Sequence, residues 1–334
     1  MRYQAVCFFI ALALLALLPL LLQPSATPAF RSSSTVSPTS RRVELAVPTE
    51  ETSRPRPRSV GEGESWVVLL SLQRSGTHWL SHELNRDPCI SVLPEILYHQ
   101  TEKFTWWTPT MRRVSIEGFF KCSVDGEKEI DGKLLPWTLV DYVKQTAQDL
   151  QNGRLVRGFN WKVNQAFPED WANWFKKYSM RHKVRIVFLQ RRNDLRRIFS
   201  VEANRRIPVY ATKDAKEATK VRHEKINLDI KNLTHDLLRD KQKIQQVRHI
   251  LAQAKEVGIP VLHIFYEDIA QDPANLEKLR GWLRRNSSCP PVELSQAPGW
   301  VKLHNGSLSE LIENWAEVKE ALQENSQWEW MLHD

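Results

Sequence analysis

The segment at residues 69–80 constrains the fold more than any other part of the chain. An apolar run ends there at a polar turn that contains Gly76, and an apolar pattern of helical period resumes at once. This order predicts a buried strand, a tight loop and a helix N-terminus with no spacer between them. Because a helix N-terminus presents unpaired N–H groups and the positive end of the helix dipole, the loop is suited to a phosphate or sulfate.

The side chains of this loop favour the same interpretation. Ser75 and Thr77 add hydroxyls, Gly76 lets the backbone approach a ligand closely, and Arg74 adds a permanent positive charge. The nucleotide-kinase loop G-x-x-x-x-G-K-S/T is not present, because no lysine follows the glycine. The alternative is an ordinary strand-to-helix turn in which Arg74 is solvated and Ser75 caps the helix.

The N-terminal region predicts a membrane anchor. Residues 5–22 are uncharged and strongly apolar, Arg2 precedes them, and no charge follows until Arg31. This asymmetry favours a cytosolic tail at residues 1–4 and a signal anchor at residues 5–22, with a cleaved signal peptide as the alternative. Residues 23–64 are rich in Pro, Ser and Thr, which predicts an unfolded stem before a folded domain at residues 65–334.

This organisation describes a lumen-facing protein of the secretory pathway, which we expect to be a single-pass type II protein of the Golgi membrane, or a secreted one if the leader is cleaved. Acceptor triplets for N-glycosylation give mild support, with Asn232 and Asn286 as the candidate sites. The cysteines outside the anchor are Cys89, Cys122 and Cys289. They allow one intrachain disulfide at most and match no zinc pattern, so we expect no metal site.

The chain has 334 residues, 42% of them hydrophobic, and a net charge of +8. Those values fit one folded domain with appendages. The positive charge is typical of proteins with an anionic partner, but it does not choose among a nucleotide, a polyanionic glycan, a nucleic acid and an acidic membrane.

Two kinds of periodicity alternate through the folded domain. Apolar runs that predict buried strands lie at residues 66–72, 155–163, 183–190 and 261–266. Amphipathic stretches that predict helices lie at residues 77–84, 195–205, 226–255, 274–285 and 308–322. This alternation predicts an α/β three-layer sandwich with a central parallel sheet between helices. The loops at Gln73, Arg191 and Glu267 each follow a strand, so they are expected to meet at one edge of the sheet.

A second anion-binding motif follows the strand at residues 183–190. Arg192 lies at the strand end and Ser200 lies two turns into the next helix, where both could contact one anion. The alternative is a basic helix face in solvent. We prefer this alternative for Arg191, Arg196 and Arg197.

Together the two motifs resemble those of the sulfotransferases that use 3′-phosphoadenosine 5′-phosphosulfate. Residues 73–80 are similar to their 5′-phosphosulfate loop and residues 192–200 to their 3′-phosphate motif, with Asp194 where a proline is usual. Residues 158–165, 266–268 and 305–315 are similar to segments of the nodulation-type branch and its algal and plant relatives. The likeness covers about residues 66–332 and implies a P-loop-like fold for the catalytic domain.

The resemblance implies in-line transfer of a sulfuryl group from the nucleotide to a hydroxyl or amine of a glycan or glycoconjugate, without a metal ion. A loop before the helix that begins after Ser307 is expected to close over the 3′-phosphate. The residues expected to bind the donor are Gln73, Arg74, Ser75, Gly76, Thr77, His78, Trp79, Arg192, Ser200, Lys302 and Ser307.

Four residues are candidates for the chemistry. Arg74 remains protonated, so its expected role is to stabilise the leaving phosphate. Glu95 is the candidate general base, and the alternative is a surface glutamate at a helix start. Lys162 is expected at a strand end within reach of the sulfuryl oxygens, unless it is a surface lysine. His78 is expected to support the nucleotide side of the site more than to act as the base.

Other functions remain open. A P-loop kinase or nucleotidase would share the fold, a non-catalytic protein that binds heparin-like glycans would share the charge, and a protein-tyrosine or small-molecule sulfotransferase would share the donor. We expect a glycan acceptor and a membrane as partners and no nucleic acid. The sequence leaves the acceptor and the oligomeric state undetermined.

Overall fold

The computed structural model describes residues 64–97, 108–121, 129–130, 133–134, 137–206, 225–285, 289 and 306–333. The expected anchor at residues 5–22, the stem up to residue 63, and the candidate residues Asn286 and Lys302 lie outside these ranges. Within the described ranges, no helix has the length and apolar character needed to cross a membrane.

Strands and helices alternate along most of the described chain. The strands are β1 (Ser65–Ser71), β2 (Ile90–Glu95), β3 (Glu129–Ile130), β4 (Lys133–Leu134), β5 (Val156–Lys162), β6 (Arg185–Gln190) and β7 (Val261–Phe265). The helices are α1 (Thr77–Asn85), α2 (Pro109–Lys121), α3 (Trp137–Gln151), α4 (Phe167–Asp170), a π-helix (Trp171–Phe175), α5 (Lys176–His182), α6 (Asp194–Arg206), α7 (Ile230–Glu256), α8 (Tyr266–Gln271), α9 (Pro273–Arg284), α10 (Leu308–Leu311), α11 (Trp315–Gln323), α12 (Ser326–Glu329) and a 3-10 turn (Trp330–Leu332).

Five strands form one parallel sheet in the order β2-β5-β1-β6-β7. The central strand β1 is buried along its whole length. Strands β3 and β4 form a separate antiparallel pair. Because every strand of the main sheet runs the same way, the carboxyl ends of β1, β2, β5, β6 and β7 all lie at one edge.

Helices cover both faces of this sheet. Trp66, Val68 and Leu70 pack with residues of α2, the π-helix and α7. Val67 and Leu69, which alternate with them on β1, pack with residues of α1 and α9 on the other face. This alternation of faces is the two-residue period of a strand. The predicted α/β architecture, a parallel sheet flanked by helices, is confirmed.

A third apolar cluster joins α6 and the start of α7 to α10, α11 and α12. The prediction of one helix at residues 308–322 is wrong, because the chain leaves the helix after Leu311. Ile312 instead pairs as extended chain with Ile226, and the side chain of Asn314 exchanges hydrogen bonds of 2.9 Å with the backbone of Leu228. The apolar side chains of the predicted helix still enter this cluster.

Strand β2 was not expected from the sequence. It ends at Glu95, after an irregularity in its pairing with β5 between Leu93 and Glu95. The alternative placement of Glu95 at a helix start is therefore wrong. Since β2 is parallel to its neighbour, Glu95 lies at the same edge of the sheet as the loop after β1.

A disulfide and a buried ion pair fasten the amino end of β2. Cys89 is bonded to Cys289. Next to it, Arg284 forms an ion pair with the fully buried Asp87, whose other carboxylate oxygen accepts the backbone N–H of Cys89 at 2.9 Å. The structure thereby assigns the single disulfide that the cysteine count allowed.

Candidate active site

The loop after β1 has the backbone that an anion-binding turn requires. Arg74 and Gly76 both have positive φ angles, of 63° and 86°, and no side chain caps the N-terminus of α1. The ring of Tyr266 occupies the place where a Cβ on residue 76 would lie, and it packs edge-on against Trp79 with ring centroids 5.6 Å apart. Glycine is therefore required twice at position 76, by conformation and by space.

The remaining side chains of the loop point in two directions. Ser75 and Thr77 are buried at 1% and 2% exposure, whereas Gln73 and His78 are exposed. The hydroxyls therefore lie beneath the loop, and Gln73 and His78 border the surface from which a ligand would approach.

A hydrogen bond joins the two predicted phosphate-binding motifs. The Nε of Arg74 donates to the Oγ of the buried Ser200 on α6 at 3.0 Å. The contact forms because β6, which leads into α6, lies next to β1 in the sheet. Two motifs that are far apart in sequence are thus adjacent in space.

Arg192 contacts the loop after β7. Its guanidinium forms a two-pronged ion pair with Asp268 and lies 4.4 Å from the centre of the Phe265 ring, and its backbone N–H donates to Glu267 at 3.0 Å. The hydrogen bond raises the pKa of Arg192 and lowers the pKa of Asp268. The loops after β6 and β7 therefore meet at one edge, as the sequence predicted.

The expectation that Arg197 lies in solvent is wrong. Its side chain is buried at 6% exposure, forms an ion pair with Asp240 on α7, and donates through Nη1 to the backbone carbonyl of Gln73 at 3.5 Å. A guanidinium is buried only when its charge is paired, and here the partner comes from a distant helix. Arg197 therefore links the loop after β1 to α6 and α7.

Arg191 and Arg196 are also not free in solvent. Arg191 lies 3.7 Å from the Glu267 carboxylate and 5.3 Å from the centre of the Tyr266 ring. Arg196 donates through Nη2 to the backbone carbonyl of Gly306 at 2.8 Å. This bond brings Ser307, the next residue, to the helix that carries the second motif.

Asp194 is buried at the first turn of α6. Burial raises its pKa to about 6, and the ion pair with Arg197, at 3.7 Å, opposes that rise. The residue that replaces the usual proline of the resembling family is thus a buried acid in contact with the arginine that holds Gln73.

Lys162 lies beneath the loop and is almost fully buried, at 2% exposure. Its ammonium donates to the Ser71 hydroxyl at 3.1 Å and to the Thr77 hydroxyl, and it lies 3.4 Å from the Glu95 carboxylate. Burial lowers the pKa of Lys162, whereas Glu95 opposes the decrease. The alternative placement of Lys162 on the surface is wrong, because the ammonium joins the ends of β1 and β2 to the start of α1.

Glu95 is held by a second partner. The Nε2 of Gln165 donates to the Oε2 of Glu95 at 3.1 Å, and the Oε1 of Gln165 accepts the backbone N–H of Lys162 at 3.0 Å. The Glu95 side chain retains 15% exposure. The carboxylate is therefore fixed from two sides and still reaches the surface.

Two further groups lie in the field of this pair. Partial burial lowers the pKa of His78, although part of its side chain is exposed. The charges of Lys162 and Arg74 lower this pKa further, and the charge of Glu95 opposes the decrease. Burial raises the pKa of Tyr142 on α3, and the charge of Glu95 raises it further. His78 therefore favours its neutral form, in which one ring nitrogen accepts and the other donates.

Outside this cluster, Ser307 is the N-cap of α10, and its backbone N–H donates to Glu310 at 2.9 Å. This is one of the two bonds of a capping box between Ser307 and Glu310. The glycosylation candidate Asn232 is exposed on α7, with its amide donating to Asp229 at 2.7 Å.

Sequence reasoning missed four members of the site, Ser71, Tyr142, Gln165 and Arg197. Gln165 follows the end of the strand predicted at residues 155–163 by two residues, which was the available signal for it. Within the described ranges, no three His, Cys, Asp or Glu side chains converge as metal ligands would. Neither the family models nor the characterised proteins compared with this chain give a match.

Proposed function

We propose that the chain is a sulfotransferase that moves the sulfuryl group of 3′-phosphoadenosine 5′-phosphosulfate to a hydroxyl or amine of a glycan or glycoconjugate. The hydrogen bond between Arg74 and Ser200 carries the proposal. It joins a loop that resembles a 5′-phosphosulfate site to a helix that resembles a 3′-phosphate site. A nucleotide with phosphate groups at its 3′ and 5′ positions needs two such sites close together.

The residues present fit such a donor. The uncapped N-terminus of α1 and the left-handed turn at Gly76 leave backbone N–H groups for an anion, and Arg74 adds a charge. Gln73, Ser75, His78 and Trp79 would complete the 5′ side, and Arg192 and Ser200 the 3′ side, with Lys302 and Ser307 closing over it. In the finer classification the sheet would then be P-loop-like.

Lys162 determines the direction of the hydrogen bond that it shares with the Thr77 hydroxyl. An ammonium can only donate, so the oxygen of Thr77 accepts from Lys162, and the hydroxyl hydrogen of Thr77 is left to donate to a bound anion. Because Lys162 is buried beneath the loop at 2% exposure, in this proposal it acts through Thr77 and does not itself reach the sulfuryl oxygens, which departs from the expectation based on the sequence.

Glu95 is the base in this proposal. When bound, the donor supplies the sulfuryl group and a phosphate leaving group. Lys162 and Gln165 keep the Glu95 carboxylate in place, and its exposed edge accepts the proton of the acceptor group. Arg74 stays protonated and stabilises negative charge on the leaving side.

The proposal includes the cellular setting: a Golgi membrane protein of single-pass type II topology, anchored through residues 5–22, with the catalytic domain in the lumen. The basis is the apolar segment and the stem that follows it. No metal ion takes part in the proposed transfer, because arginine and backbone N–H groups supply the positive charge.

The test is binding of adenosine 3′,5′-bisphosphate by the full-length chain, followed by transfer of label from sulfate-labelled donor to a mixture of glycans. We expect Arg74→Ala and Ser200→Ala each to weaken nucleotide binding by about tenfold, because each removes a contact of 1–2 kcal/mol to a charged group. Glu95→Gln should abolish transfer and leave nucleotide binding intact.

Arg205→Ala is the matched control. Arg205 lies on the same helix as Ser200, is exposed, and is paired with Glu202. The control should bind nucleotide like the parent chain. If Arg74→Ala and Ser200→Ala also bound like the parent, the proposed function would be wrong.

A further inference from the structure

A row of cations follows one face of α7, the longest described helix. Lys241, Arg248 and Lys255 are all exposed and are spaced by seven residues. Residues seven apart lie on the same side of a helix, so the three charges form one line. With a rise of about 1.5 Å per residue, neighbouring charges are roughly 10 Å apart and the line is about 20 Å long. We call Lys241, Arg248 and Lys255 the α7 row.

No described carboxylate forms an ion pair with any member of the α7 row. Lys241 donates to the amide of Gln327 at 2.9 Å and Arg248 to the amide of Gln190 at 3.1 Å, and neither amide carries a charge. Exposed arginines elsewhere behave differently: Arg113 and Arg205 each pair with a glutamate on their own helix. Among the described residues, no paired carboxylate therefore neutralises a member of the row, although the charge of Arg248 also acts on the buried Asp194, where it opposes the rise in pKa that burial causes.

A shallow cavity lies between two members of the row. It has a volume of about 200 Å³, and its lining consists of Arg248, Leu251, Ala252, Lys255, Val261 and His263. Burial lowers the pKa of His263, and the positive charges of Arg248 and Lys255 beside it add to the decrease. The cavity's apolar floor and cationic rim suit a ring that carries an acidic group.

The row begins near the candidate site. Gln190, the last residue of β6, accepts from Arg248 and also contacts His263 at 3.1 Å. Asp240, next to Lys241 in the chain, is the partner of Arg197, which contacts Gln73 in the loop after β1. A chain molecule bound along α7 would thus extend from the site edge along the side of the sheet.

We propose that the α7 row is a binding surface for a linear anionic glycan, one of whose acidic sugars occupies the cavity between Arg248 and Lys255. The spacing of the charges is comparable with the length of a disaccharide, which is the repeat of many sulfated and uronic-acid glycans. The inference rests on the proposed function in one respect, since it identifies the bound glycan as the acceptor.

The test measures binding of a labelled heparin oligosaccharide to the full-length chain in detergent at low and high NaCl concentrations. The variant is Lys241→Gln, Arg248→Gln and Lys255→Gln combined. We expect a loss of affinity of roughly tenfold or more at low salt and a shallower salt dependence, because fewer counterions are released. The single variant Lys255→Glu, which reverses one charge of the row at the edge of the cavity, should by itself weaken heparin binding several-fold.

The control combines Lys177→Gln, Lys278→Gln and Lys319→Gln, which are exposed lysines on three other helices. It removes the same charge and should bind heparin nearly as the parent does. Equal losses in the two triple variants would overturn the proposal. The proposal would also be overturned if a DNA oligonucleotide of the same charge bound more tightly than heparin and lost this binding in the variant of the α7 row. The row would then bind a nucleic acid.

Both triple variants should bind adenosine 3′,5′-bisphosphate like the parent, because the row lies outside the donor site. Heparin binding that depends on the row in a chain that binds no nucleotide would support the glycan surface and refute the sulfotransferase. Nucleotide binding without heparin binding that depends on the row would support the sulfotransferase and refute the glycan surface.

Discussion

The ion pair between Lys162 and Glu95 makes a quantitative prediction about stability. Replacing Lys162 by methionine keeps most of the side-chain volume and removes the charge. The carboxylate of Glu95, at 15% exposure, then loses a cation 3.4 Å away and keeps Gln165 as its partner. Lys162→Met should therefore destabilise the fold through an uncompensated charge and not through a cavity.

The magnitude follows from the geometry. Two unit charges 3.4 Å apart attract by about 5 kcal/mol at an effective dielectric constant of 20. Desolvation of the two groups offsets part of this, and removal of one partner from a buried pair costs about 3–5 kcal/mol in total. Since water reaches Glu95, we expect a loss near the lower limit, about 3 kcal/mol.

The assay is urea unfolding of the parent, Lys162→Met, Glu95→Gln and the double variant. The double variant leaves no unpaired charge, so it should recover about 2 kcal/mol relative to the sum of the single variants. Thr77→Val is the control, because it removes a hydrogen bond of Lys162 but no charge and should cost about 1 kcal/mol. A coupling energy below about 0.5 kcal/mol would refute the ion pair.

Three other predictions follow from single features. Burial raises the pKa of Asp194 from 3.8 to about 6, so the folded state binds a proton more tightly than the unfolded state and stability is lost as the pH rises through this range. In urea unfolding, the stability of Asp194→Asn relative to the parent should therefore increase by about 3 kcal/mol between pH 4 and pH 7. A stability difference that does not change with pH would contradict the burial of Asp194. Reduction of the bond between Cys89 and Cys289 should lower the free energy of unfolding by about 5 kcal/mol, because the bond closes a loop with a sequence separation of 200 residues. The variant Cys89→Ser should show the same loss, and its stability should not change when a reductant is added. Gly76→Ala should lower the free energy of unfolding by about 2 kcal/mol or more, because the new methyl group collides with the Tyr266 ring and because alanine is strained at φ 86°. Adding Tyr266→Ala should relieve the collision but not the backbone strain, so it should recover only part of the loss.

The parallel sheet was predictable because its central strands are long apolar runs separated by helical patterns. Strand β2 was not, because Pro94 lies within it and a proline argues against a paired strand. The pairing irregularity next to Pro94 accommodates the missing N–H group at the end of an edge strand. Local patterns thus identified four strands of this sheet, including β7 at one edge, and missed β2 at the other edge.

Some residues of the candidate site were predictable from the sequence and others were not. The loop at Arg74 and the helix at Ser200 were predictable, because each follows a long strand and has a local motif. The burial of Arg197 was not, since its partner Asp240 lies on another helix and a charged residue on an amphipathic helix is usually solvated. The contacts of Lys162 with Ser71, Thr77 and Glu95 depend on β5 lying between β1 and β2, and strand order is not encoded in local periodicity.

The disulfide also bears on the order in which the chain is made. Cys89 is synthesised 200 residues before its partner Cys289, and Cys122 is synthesised between them. During synthesis in an oxidising compartment, Cys122 is the first thiol made after Cys89. The native bond therefore requires Cys89 to stay reduced, or to exchange partners, until strand β7 and helix α9, which precede Cys289, have been made. A disulfide isomerase should raise the yield of native chain more than an oxidant alone.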